Sequence, residues 1–94
     1  MSSKSLVERR LIDVHARLKE ARAELGVLNQ QLAVLADAAD EARIRSLVSE
    51  TPGADREHRD ARRHAEAMAR SRAAVESTIA ELESAQDKLL ERLP

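Results

Sequence analysis

His58, Arg72 and Gln86 stand fourteen residues apart, two heptads on a helix, among otherwise apolar positions of one repeating pattern. Polar side chains at such positions fix register, orientation or oligomeric state at some cost in stability. Alternatively, they form a polar layer that meets a ligand. The register-setting role is the expected one, and Arg72 can pack its stem while its guanidinium reaches water.

A second group is the arginine-rich stretch Arg56, Arg59, Arg62, Arg63 and Arg70. Guanidinium forks suit phosphates and carboxylates. Glu57, Asp60 and Glu66 interleave with them, however, and the chain has no Phe, Tyr or Trp on which a base could stack. Overall charge nearly cancels, at 16 Lys+Arg against 17 Asp+Glu, which is not the balance of a general nucleic-acid or anionic-membrane binder. The arginines are therefore expected to pair with carboxylates of the first half of the chain, or within helix two at the i, i+4 spacings Asp55–Arg59, Arg56–Asp60, Arg62–Glu66 and Glu66–Arg70, and a nucleotide or nucleic acid is the lesser candidate.

Glu57, Asp60 and His64 share a helix face by their spacing, with His58 close in sequence and His15 far from them. A metal centre needs several convergent ligands with outer support. The paired Glu-x-x-His signature of di-iron bundles is missing, so no metal is expected. With no cysteine there is no disulfide, thiol nucleophile or thiolate site. No glycine-rich phosphate loop or nucleophile–base motif is present. Catalytic and cofactor-binding residues are accordingly not assigned. A small helical enzyme built around Arg72 and Gln86 would require a concave site.

The elements that must position these groups are legible in the spacing of apolar residues. From Val7 through Leu11, Val14, Leu18, Ala21 and Leu25 to Ala42, steps of four and three alternate without a miss. From Ala54 through His58, Ala61, Ala65 and Met68 to Leu93 they do so again. A sustained 4-3 repeat marks a left-handed helical pairing. Thr51-Pro52-Gly53 interrupts the two runs, since proline cannot continue an incoming helix. The expected architecture is all-α: an antiparallel two-helix coiled-coil hairpin in one domain, with helix one at about 4–49, a turn at about 50–53 and helix two at about 54–92. Thr51 or Asp55 would cap helix two, and Ser5-Leu6-Val7-Glu8 has capping-box spacing for helix one. Past Ala42 the first pattern loses its apolar residues, so helix one either kinks near Asp37–Asp40 or turns Ile44, Leu47 and Val48 toward a partner. Gly26 is read as a tolerated surface position, with close helix approach as the alternative.

Charge supports the fold-back independently. Residues 1–22 carry six cations against three anions, 23–50 two against five, 51–72 six against four, and 73–94 two against five. The resulting order of plus, minus, plus, minus opposes unlike blocks only if the chain doubles back. Exposed pairs contribute little each, so the pattern selects orientation more than stability. Core-to-core matching would set Ala42 near Ala65, Leu28 near Ile79, Leu18 near Leu89, Leu35 near Arg72 and Ala21 near Gln86.

With 43% hydrophobic residues, none aromatic, the seam is thin. Helical stability comes mainly from packing, so two hairpins are expected to associate into a four-helix bundle dimer. Val27, Val34, Leu47 and Val48 lie off the seam and are the candidate contact, together with Arg56, Arg59 and Arg63. These features imply a non-enzymatic adaptor or regulator that binds protein. The alternative is a ligand- or nucleic-acid-responsive helical transcription regulator using the arginines, and a small enzyme comes third. No apolar leader or membrane-spanning run follows the start, so a soluble, cytoplasmic protein is expected. Arginine and alanine abundance is the composition of a GC-rich bacterial genome. The hairpin shape invites comparison with the small WXG-type helical hairpins, but Thr51-Pro52-Gly53 stands where their Trp-x-Gly turn would be. Nor does either helix match the spaced Glu, Ser, Arg, Gln and Asp motif of coiled-coil anti-sigma factors that bind a cyclic dinucleotide.

Overall fold

The computed structural model describes residues 3–93 as an antiparallel hairpin of two helices, α1 (Ser3–Ser49) and α2 (Pro52–Glu91). The 4-3 spacing of the sequence reappears as burial. Along α1, Val7, Leu18, Ala21 and Ala42 are buried, and Leu11, Val14, Leu25, Leu28, Leu32, Leu35 and Ala39 are half-buried. In α2 the same alternation runs from Ala54 to Leu89 and continues to Leu93 just past the helix end, with Ile79 the buried member. The other described side chains are exposed, apart from half-buried Ser5, Ser46 and Ala85.

Contacts group into two compact units, Met1–Leu25 with Ala74–Pro94, and Gly26–Ala73. The first holds the best-formed core. Leu18, Ala21 and Ile79 pack together, with Val14, Leu25, Val75 and Leu82 against them. Leu18, at 1% exposure, is the largest side chain to be fully enclosed. Arg22 and Glu83 face each other on the flank of this core at 3.9 Å, joining the basic first block to the acidic last one.

The second unit contains the turn, which is shorter than the sequence suggests. Glu50 and Thr51 alone lie between the helices, and Pro52 and Gly53 already belong to α2. Thr51 is the cap: its Oγ1 accepts the Ala54 N–H at 3.2 Å. Proline in the first turn sacrifices no helical hydrogen bond and arrives with a helical φ. Asp55, the other candidate cap, instead lies inside α2 and accepts a hydrogen bond from Ser46 Oγ across the turn. Glu50 ends α1 in the left-handed region at φ 50°, with its N–H donated to Ser46 O at 3.1 Å. Glycine usually takes this terminating position, yet Gly53 sits two residues beyond the turn with no positive φ.

The register differs from the core-matching expectation for the same reason. Arg72 meets Asn29, not Leu35; its Nε donates to Asn29 Oδ1 at 2.5 Å. Ile79 packs with Leu18 and Ala21, which displaces Leu18 from its expected partner Leu89 and Ala21 from Gln86. Matching apolar positions alone permits several registers a seam step apart. A two-residue connection permits one, because it ties Ser46 to Asp55 and brings Arg45 within 3.8 Å of Glu57.

Helix α1 continues through Asp37–Asp40 to Ser49 without interruption, and Ile44, Leu47 and Val48 face solvent. Ser5 lies within α1, because the helix begins at Ser3, so the capping-box assignment is corrected. A Cβ at Gly26 would meet nothing within 4 Å, which rules out a close helix contact there. Gly26→Ala is therefore expected to raise the unfolding free energy by about 1 kcal/mol, measured by urea denaturation; a destabilised variant would contradict the open surroundings.

Candidate interaction surface

The polar seam residues are all half-buried: His58 and Arg72 in the second unit, Gln86 in the first. Arg72 is engaged by Asn29, a partner that the sequence reading missed. Asn29 is the amide next to the seam residue Leu28, first of the run Asn29-Gln30-Gln31, and that adjacency was the available signal.

The arginine-rich stretch pairs within α2, as the spacing of Arg62 and Glu66 suggests, rather than with α1. Arg62 pairs with Glu66 at 3.0 Å and Arg63 with Asp60 at 3.8 Å, both within α2. The cross-helix ion pair of this unit runs instead from Arg45 to Glu57, the minority charges of their respective blocks. Geometry explains this. Arg56, Arg63 and Arg70 are seven residues apart, so they share the face of α2 turned away from the seam, beyond reach of α1. Arg59, Arg62, Arg63 and Glu66 line a shallow, open recess of about 210 Å³. Glu57, Asp60 and His64 are exposed, and among the described residues no group of three His, Cys, Asp or Glu is placed to hold a metal ion. His15 is exposed in the first unit.

The apolar surface is concentrated on α1. Within the second unit, Val27 (52% exposed), Val34 (68%), Ile44 (53%), Leu47 (66%) and Val48 (79%) all project from it, and α2 there adds no exposed large aliphatic side chain. Val27, Val34 and Val48 fall on one line at multiples of seven. Val34 also borders an open groove of about 440 Å³ with Leu35, Met68, Gln30 and Gln31. Ile44, Leu47 and Val48 have i, i+3, i+4 spacing and form one outward patch. Ile44 joins Leu47 and Val48 on this surface, as the loss of the seam pattern past Ala42 suggests. In the first unit Leu6, Ile12 and Leu90 are exposed singly, which is ordinary for a protein surface. A cluster of five large aliphatic side chains on one helix is not, and points to a binding partner or to self-association. No helix among the described residues is long and apolar enough to cross a membrane.

No protein-family profile, curated protein or solved structure matches the chain.

Proposed function

We propose that this chain is a non-enzymatic coiled-coil adaptor or regulatory protein of the cytoplasm, acting through protein–protein contact. The observation that carries the reading is the exposed aliphatic surface of α1, from Val27 and Val34 to Val48. Burying such side chains is favourable by about 25 cal/mol per Å² removed from water. The groove of Val34, Leu35 and Met68, rimmed by uncharged Gln30 and Gln31, suits a second hairpin laid flat against the first. Its product is a four-helix bundle dimer, in which the thin seam gains a second layer.

Replacing both Val27 and Val34 by alanine should shift the sedimenting species from dimer toward monomer. An unchanged mass would remove this surface from the dimer contact. The variant should keep its helicity, because both side chains are exposed in the hairpin.

A second reading draws on the recess of Arg59, Arg62 and Arg63. There the chain would be a ligand-responsive transcription regulator that holds a phosphate-bearing molecule or nucleic acid. Phosphate contacts weaken steeply with salt, so titration with nucleotides and nucleic acid at two ionic strengths separates it from the first. The internal pairing of Arg62 with Glu66 and Arg63 with Asp60 favours the protein-contact reading, since it already occupies two of the three guanidinium groups.

A further inference from the structure

We infer that the last third of α1 is a docking face for a basic amphipathic helix of another protein. The inference rests on the protein-contact reading and names the occupant of its outward patch. Three positions of the outer face recur in successive heptads. They are Gln30, Ala33 and Val34, then Asp37, Asp40 and Glu41, then Ile44, Leu47 and Val48. All nine residues are exposed, and no cation shares these positions. The nearest cations on the helix, Arg43 and Arg45, lie toward its flanks, and Arg45 is drawn to Glu57. Three carboxylates therefore sit one heptad, about 10 Å along the axis, from three large aliphatic side chains.

A partner matching both must be a helix with an apolar turn and a cationic turn at that separation. Its apolar side chains would cover Ile44, Leu47 and Val48 as anchors spaced i, i+3, i+4. Its lysines or arginines would meet Asp37, Asp40 and Glu41, setting direction and rejecting acidic competitors. On this patch a second copy of this chain fits less well, whether through the same face of α1 or through the arginine-bearing face of α2. The same face of α1 brings carboxylates onto carboxylates or onto aliphatic groups. The outer face of α2 offers Arg56, Arg63 and Arg70, but around them are Asp60, Glu66 and alanines rather than large aliphatic residues.

The test uses the full chain and two labelled synthetic helices of about three heptads. One carries a turn of leucines and a turn of lysines one heptad apart; its twin has glutamates for the lysines. Fluorescence anisotropy should show the lysine peptide binding, weaker in high salt, and the glutamate twin weaker by about tenfold or more. The combined variant Asp37→Asn, Asp40→Asn, Glu41→Gln should bring the two peptides to equal affinity. Leu47→Gln with Val48→Gln should weaken both. Equal binding of the twins to the unaltered chain, or binding of neither, overturns the inference. Loss of self-association in the Leu47→Gln, Val48→Gln chain, read by sedimentation, would seat a second copy on this face; that outcome overturns the inference while leaving protein contact as the function.

Discussion

Leu18→Ala is expected to lower the unfolding free energy by about 3 kcal/mol, the largest effect of any single truncation in the chain. Leu18 is almost completely enclosed, and it shares its core with only Ala21 and Ile79 as buried neighbours. Removing a buried leucine side chain loses its transfer free energy and leaves a cavity whose cost depends on how far the walls collapse. Here the walls are Val14, Leu25, Val75 and Leu82, each already half-exposed. They can close in part, which keeps the cost near the middle of the range seen for such changes. Small domains have stabilities of the order of 5–15 kcal/mol, and a seam one layer thick places this one toward the lower end. The variant should show a much lower urea midpoint by far-ultraviolet circular dichroism. Leu90→Ala is the control: Leu90 is half exposed, and its truncation should cost less than about 0.5 kcal/mol. Equal effects at the two positions would mean that the Leu18 cluster is not the core.

Arg72→Leu is expected to act in the opposite direction, stabilising the hairpin by about 1 kcal/mol while broadening its association. Arg72 stands at a seam position between Met68 and Val75, where a leucine would bury apolar surface that a guanidinium cannot. The hydrogen bond to Asn29 is lost, but it lies at an exposed edge where water replaces the donor, so its loss costs little. What it is expected to supply is register. A polar contact at one seam position distinguishes one alignment from those a seam step away, and the leucine variant removes that distinction. Denaturation should therefore show a higher midpoint, and sedimentation a mixture of species in place of one. Destabilisation by more than about 1 kcal/mol would show that Arg72 is held by more than its edge.

The fold was readable because helices repeat. Every 4-3 position from Val7 to Ala42 and from Ala54 to Leu93 is at least half-buried, and this follows from periodicity alone. Direction was readable from the alternation of charge blocks, and Arg22–Glu83 realises that alternation as a cross-helix pair of majority charges. In the turn unit the pair is Arg45–Glu57, which the block sums conceal. Of the candidate surface, Val27, Val34, Leu47 and Val48 were identifiable because they fall off the seam. Ile44, with Leu47 and Val48, stood out where the seam pattern fades past Ala42, but whether α1 continues as helix through Asp40 to carry them was open until the structure. The Arg62–Glu66 pair was legible from its i, i+4 spacing, whereas whether these arginines would pair with the first half of the chain was not, because net charge says nothing about which side of a helix carries it.

By itself, then, the sequence determined that there are two long helices, that they pair in opposite directions, and which stripe of each is enclosed. These depend on local spacing and summed charge, which survive any small shift of one helix against the other. Tertiary structure decided the two-residue turn, the meeting of Arg72 with Asn29, and which aliphatic side chains remain in solvent. Apolar seams of near-uniform Leu, Ala and Val pack almost equally well in several alignments. The closing geometry at Glu50 and Thr51 selects one of them, and that choice exists only once the chain has folded back.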